Sequence, residues 1–401
     1  MKKIYLIILS IVMISCSSAN INNDNITERI DSLLNTNYSS DAPGCAMAIL
    51  NGDKIVYMGY RGISDVNSKE KINEHTVFNI ASVTKQFTVV AILHLYEQGK
   101  LDINDNVAKY FPEFKSDIWE KVQLRHLMSH SSGVPDKRPR VDKDFMLHIV
   151  DKQCLEYMVD LDELKFEPGT YYDYKNPTFQ ILAEVVSRVS GMDFETFQRE
   201  YVFNRAAMTN VRYFDPLIDI PQMAHGYINI SKAEYNSIDS DSQKDKGNLL
   251  SQYTDKNGVQ WMEYDYGEET FFGTKADGGI YTSLDDFIKW ENALRNNTMI
   301  KKTTKELAYT PQINVSESKY STYQNRENTF YGFGWFIDNM PGREPKIYHT
   351  GDNGGFQIYA AKYPKSGVSV IMFENRNDLN RWNTQMEIER ILIEEGLLTV
   401  D

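Results

Sequence analysis

The chain has 401 residues, a formal net charge of -13 at pH 7 and 41% hydrophobic residues. That length allows two or three domains or one large two-lobed one, and the apolar fraction is enough for a sizeable core. The acidic balance argues against nucleic acid as a partner.

Met1-Lys2-Lys3 and the apolar run from Ile4 to Ile14 have the form of an export signal, and the run is too short to span a bilayer comfortably. Met13-Ile14-Ser15-Cys16 resembles the bacterial lipoprotein cleavage box. Residues 1–15 are therefore expected to be removed. Cys16 would be lipidated and residues 16–25 would form a tether, giving an exported protein held to a bacterial membrane by its lipid alone.

A globular pattern begins at Asn25, which with Glu28 marks a helix start ahead of the apolar stripe Ile26, Ile30, Leu33 and Leu34. Cys45 to Leu50 and Lys54 to Tyr60 read as two strands joined by an Asn51-Gly52 turn. The stretch from Phe78 to Leu95 is the organising centre. Ser82 is expected to open a helix that ends at Gly99, and from Phe87 onward its apolar residues fall on every side, which predicts burial all round. Ser82 and Lys85 lie three apart, on one helical face, with the ammonium in reach of the hydroxyl. A serine hydroxyl is a poor nucleophile until a neighbour takes its proton, and a lysine serves directly or through a third group. A helix N-terminus also favours developing negative charge. The same Ser-x-x-Lys pattern occurs at Ser68 and Lys71 and at Ser316 and Lys319, in charged or polar surroundings with no buried helix following, and is read there as chance.

Leu124 to His130 forms a further short helix, stopped by Ser131-Ser132-Gly133. His126 and His130 are spaced i,i+4 without an acidic or Cys partner nearby, so they read as structural histidines; no metal-ligand spacing appears. Cys45 and Cys154 sit among apolar residues and are expected as buried free thiols. Helices are predicted over Asn176 to Val189 and Phe194 to Phe203, and the polar stretch 229–267 reads as an inserted surface excursion. Past Gly278-Gly279 come strands at Tyr331 to Ile337, Lys346 to His349, Gly355 to Tyr363 and Val368 to Phe373, then a closing helix from Trp382 to Glu395. The expected fold is an α+β sandwich: one antiparallel sheet flanked by N- and C-terminal helices, with an inserted all-helical lobe. The α/β lobe would comprise about 26–100 and 270–401, the helical lobe about 101–269, and the single domain residues 26–401. A cleft is expected where the lobes meet.

Two further elements join Ser82: Tyr174-Lys175-Asn176 before a helix, and His349-Thr350-Gly351 at the end of a strand. The order Ser82-Val83-Thr84-Lys85, Tyr174-Lys175-Asn176, His349-Thr350-Gly351 resembles the penicillin-recognising serine hydrolases. The likeness is to the class C β-lactamase-related branch, with its DD-peptidases, D-aminopeptidases and esterases. Pro43-Gly44, the run from Leu124 to Gly133, Phe166-Glu167-Pro168-Gly169, Gly278 to Ser283 and Tyr331-Gly332-Phe333-Gly334-Trp335 support it. The similarity runs from about Pro43 to about Asn375 and fails mainly across 229–267. It implies a β-lactamase/transpeptidase-like fold and acyl-enzyme chemistry without metal or organic cofactor. By the resemblance Ser82 is acylated, Lys85 holds Tyr174 or Ser82 in an easily deprotonated state, and Tyr174 acts as general base and then acid. Asn176 would bond the substrate amide, the backbone N–H groups of Ser82 and Asp352 would form the oxyanion hole, and Thr350 and Gly351 would shape the strand edge under the substrate.

The sequence departs from the class C pattern at His349, where lysine is usual. Histidine titrates near pH ~6.5, so the charge and the activity are expected to follow its pKa. Asp352 adds a negative side chain there. Both weaken selection for an anionic substrate and argue against efficient β-lactam hydrolysis. That leaves small D-residue-containing peptides, cell-wall fragments or esters. Lys175 is expected to point to solvent. The alternatives are a weak β-lactamase and a non-catalytic protein that holds a cell-wall peptide. The family implies a monomer.

Overall fold

A computed structural model describes residues 23–139, 143–215, 218–231, 252–265, 271–322 and 326–400. The export signal, Cys16 and much of the polar insertion lie outside the described residues. Helix α1 (Asn23–Asn37) buries Ile26, Ile30 and Leu34. It leads into the hairpin β1 (Cys45–Asn51) and β2 (Lys54–Arg61), closed by Gly52 at φ +59°. Then come β3 (Val77–Asn79), helix α2 (Lys85–Glu97), helix α3 (Pro177–Ser190) and β4 (Val211–Tyr213). Three short strands follow, β5 (Tyr227–Asn229), β6 (Gln252–Thr254) and β7 (Gln260–Glu263), and after them β8 (Ile280–Ser283) and helix α4 (Leu284–Arg295). The C-terminal part is β9 (Ile313–Asn314), β10 (Thr329–Tyr331), β11 (Phe336–Asp338), β12 (Lys346–Asn353), β13 (Phe356–Tyr363), β14 (Val368–Glu374) and helix α5 (Arg381–Glu394).

The large sheet has the order β2-β1-β14-β13-β12-β11-β10-β9, so an N-terminal strand pairs with a C-terminal one, with Cys45 opposite Glu374. Successive residues of β1 enter two apolar clusters, as the two-residue period requires. Ala46, Ala48 and Leu50 face α2, and Cys45, Met47 and Ile49 face α1 and α5. Helix α2 is buried from Lys85 through Leu95, as its all-round apolar pattern predicts. Its Phe87 stacks on Trp290 of α4 at 4.0 Å and meets Phe203 and Phe287 edge-on. Such burial contributes roughly 1.5–3 kcal/mol for one aromatic side chain, which holds the helix rigidly in the core.

Between α2 and β8 the described residues form helices, the longest of them α3, together with strands of two small sheets not expected from the sequence. β4 joins β3 and β8 in the order β3-β8-β4, and the described part of the insertion forms β5-β7-β6. Trp261 and Tyr227 supply the small core of the latter, and the Tyr227 hydroxyl accepts the Val66 N–H.

Candidate active site

Strand β3 delivers the chain to a 3-10 turn, Ala81–Thr84, that runs directly into α2. Ser82 therefore sits in the turn before the helix, and Lys85 is the first residue of α2. Ala81 holds φ +46°, a left-handed conformation that costs a non-glycine residue on the order of 1–3 kcal/mol. Asn79 maintains it: its Oδ1 accepts the Ala81 N–H at 2.9 Å and the Asn353 Nδ2–H at 3.1 Å, tying the turn to β12. From the other side β12 comes so close that a Cβ on Gly351 would lie 2.4 Å from the Ile80 carbonyl oxygen. Gly351 is thus required by the approach of strand to turn.

Lys85 is fully buried, and its Nζ donates to Ser82 Oγ at 3.0 Å and to the Asp277 carbonyl at 2.7 Å. Burial lowers its pKa to about 7; the Asp277 carboxylate opposes the shift and the Arg138 guanidinium adds to it. At neutral pH a large fraction of Lys85 is free amine, bonded to the serine it could deprotonate. The same Nζ lies 4.9 Å from the centre of the Tyr174 ring.

Tyr174 and Asn176 stand just before helix α3. Asn176 is the N-cap position of α3, Pro177 its first residue, and Gly191 at φ +75° ends it. His130 brackets Tyr174 from both sides in sequence: its carbonyl accepts the Asp173 N–H at 2.8 Å and its Nδ1 accepts the Lys175 N–H at 3.2 Å. Its ring lies 4.1 Å from that of Tyr174, and its own backbone is left-handed at φ +54°. Burial, with Lys85 nearby, holds it neutral. His130 is structural, as read from the sequence, and the structure it supports is that of Tyr174. Asn176 Oδ1 is buried and accepts no hydrogen bond among the described residues. Tyr174 and Asn176 line a cavity of about 380 Å³ together with Pro135, Asp136, Lys165 and Lys175.

Two expectations about β12 are corrected. His349 is buried between Tyr331, Phe336 and Tyr174, donates Nδ1–H to the Thr350 carbonyl at 2.7 Å and accepts the Tyr331 hydroxyl at Nε2, 2.9 Å away. Burial, reinforced by Lys85, lowers its pKa to about 3. It is a neutral, oriented group through the working range and does not titrate near pH ~6.5 as a free histidine would. Asp352 does not stand as a lone negative charge, because Nη2 of Arg381 on α5 bonds it while Nη1 donates to the carbonyls of Gly351 and Ile358. Thr350 is buried opposite Tyr359, and beyond Tyr348 strand β12 has no partner from β11. The turn carrying Ser82 packs beside this stretch. Lys175 also departs from expectation, since its ammonium turns back to Asp173 at 2.8 Å.

Among the described residues one group could offer metal ligands: His225, Glu263 and Asp265. Its geometry is that of an ion pair, with His225 Nδ1 2.7 Å from Asp265 and 3.6 Å from Glu263. Burial works against the charge on His225, but these carboxylates and Asp65 raise its pKa to about 9. Cys45 and Cys154 are free and buried, as expected.

Sequence reasoning missed Asn79, Arg381 and the role of His130, all of which act through partners distant in sequence. Asn79 had one available signal, its place directly before the Ile80-Ala81-Ser82 turn.

The geometry agrees with the comparisons. The beta-lactamase family model matches residues 23–393, and the chain belongs to that family. It is a serine hydrolase of the β-lactamase/transpeptidase type. It is 26% identical over 342 residues to penicillin-binding protein 4* of Bacillus subtilis, covering 84% of this chain and 68% of the relative. A putative penicillin-binding protein of the same organism, PbpX, is also 26% identical, over 88% of this chain and 75% of its own. Among solved structures, the D-amino acid amidase of Ochrobactrum anthropi superposes with a TM-score of 0.70 at 17% identity, covering 94% of this chain and 99% of the amidase. The octameric penicillin-binding protein homologue of Pyrococcus abyssi gives 0.70 at 22%, covering 92% and 75%. These two likenesses concern the fold.

Proposed function

We propose that the protein is an exported hydrolase that forms an acyl-enzyme on Ser82, acting on D-residue-containing peptides, cell-wall fragments or esters. The observation that carries this reading is the buried Lys85 Nζ, 3.0 Å from Ser82 Oγ with its pKa lowered to about 7. Ser82 Oγ attacks the substrate carbonyl while its proton passes toward Lys85 and Tyr174. The carbonyl oxygen takes the electron pair and is met by the backbone N–H groups of Ser82 and Asp352. The intermediate collapses, the leaving group departs with a proton from Tyr174, and water later attacks the acyl-enzyme by the same route in reverse. Asn176, with its unoccupied buried Oδ1, accepts the substrate amide N–H. The printed names of the relatives, penicillin-binding proteins and a D-amino acid amidase, support an acyl-transfer substrate. The working unit is a single chain, because one chain supplies all of these groups.

Intact-mass measurement tests both chemistry and export. Protein incubated with an activated ester or a penicillin is expected to gain the acyl mass, and Ser82→Ala to gain none. Persistence of the penicillin adduct favours a peptidase over a β-lactamase, and absence of any adduct leaves the peptide-binding alternative. The same spectrum, taken on protein extracted from bacterial cells, is expected to begin at a lipidated Cys16; an unmodified Met1 would end the lipoprotein proposal.

A further inference from the structure

Two ammonium groups line the cavity beside Tyr174 and Asn176, and one carboxylate is divided between them. Lys165 and Lys175 both bond Asp173, whose side chain is 6% exposed and lies beneath them. Lys175 also donates to the Tyr174 carbonyl at 3.3 Å, and Lys165 is 34% exposed, so both retain donor capacity toward the cavity. The other carboxylate on the wall, Asp136, is bonded by Arg138, Nε to Oδ1 at 2.9 Å and Nη2 to Oδ2 at 2.8 Å. Arg138 is itself buried and offsets Asp136, so the two lining ammonium groups face the shared carboxylate of Asp173. The positive character continues along the rim, where Lys165 lies 4.8 Å and Lys319 5.1 Å from the centre of the Tyr320 ring. On a protein of net charge -13 this is a local reversal of sign, placed against the proposed general base. On β12, His349 is neutral and Asp352 is bonded by Arg381.

We propose that this cavity is a subsite for a carboxylate on the acyl part of the substrate, received by Lys165 and Lys175. The proposal rests on the hydrolase reading above and adds the substrate's charge class. It places anion recognition beside the start of α3 and not at the β12 edge, where His349 and Asp352 argue against it. A carboxylate entering the cavity shares the two ammonium groups with Asp173, and the charge-assisted bonds that result are the strong ones.

The test is a pair of activated phenyl esters that differ only in the acyl group, succinyl against butyryl, measured at low and at high salt. The succinyl ester is expected to show a kcat/KM about tenfold higher, a preference of the size one or two partly exposed charged hydrogen bonds provide. High salt and the double variant Lys165→Met, Lys175→Met are both expected to abolish the preference, read in each protein as the ratio of its two kcat/KM values. Lys165→Arg with Lys175→Arg is expected to keep it, which separates charge from packing. Equal rates on the two esters, or a preference that survives in the Met variant, would overturn the subsite. If neither ester is turned over, the hydrolase reading fails instead. The subsite is then judged by calorimetry with the corresponding succinyl and butyryl amides, where equal affinity overturns it.

Discussion

Lys85 and His349 are both buried and both held away from charge, and the difference between about 7 and about 3 separates their roles. As pH rises from 6 to 8 the free-amine fraction of Lys85 grows, so kcat/KM for ester acylation is expected to climb to a plateau with an apparent pKa near that value. His349, already neutral, contributes no limb there. His349→Gln is expected to lower the rate and leave the midpoint in place; a midpoint that vanishes in this variant would return the titration to the histidine. The same shift has a stability consequence. The folded lysine has the lower pKa, so the unfolded chain binds more protons between pH ~7 and pH ~10; the burial of Lys85 costs stability at neutral pH, and the cost fades as pH rises through that window. Ser82 and Lys85 were legible as a pair because three residues on one turn are a local relation. The state of His349 was not, because Tyr331 and Phe336, which bury it, come from neighbouring strands.

At the scale of elements, the site is a contact between a turn and a strand. β12 runs past β11, loses that partner after Tyr348, and offers its next residues to the turn Ala81–Thr84. Gly351 sets the separation. Gly351→Ala places a methyl 2.4 Å from the Ile80 oxygen and 3.0 Å from the Ala81 Cβ, and the two elements must move apart. Overpacking of this kind costs about 1–3 kcal/mol, so the variant is expected to fold with a lower melting temperature and to lose at least about tenfold in kcat. A variant with unchanged kcat would mean that the turn tolerates displacement. The β1–β2 hairpin and the strands β12, β13 and β14 were readable within a residue or two at most ends, because alternation and turn residues are strong local signals. The sheet β5-β7-β6 was not: its strands are three or four residues long and half polar, and Tyr227 and Trp261 pack on Ala42, Ile63 and Val66, far away in sequence.

For the whole molecule, the α+β plan followed from strands at both ends and helices between, while the pairing order of the sheet did not, since nothing local in Cys45 to Leu50 points to Val368 to Glu374. That pairing joins two adjacent strands, β1 and β14, that lie more than 300 residues apart in sequence. Contacts so far apart in sequence form slowly, because a long loop must close before they are rewarded. Enzymatic activity on refolding is accordingly expected to return with the slowest phase, behind helix formation followed by circular dichroism; activity that tracks the helical signal would contradict this. The hairpin β1–β2, with one strand buried on both faces, waits for β14 until nearly the whole chain has been made. Gly351 and Thr350 belong to that same late block of strands. During biosynthesis Ser82 and Lys85 are therefore present long before they can act, and hydrolytic competence is conferred in a single late step, when the C-terminal strands slot in beside the first.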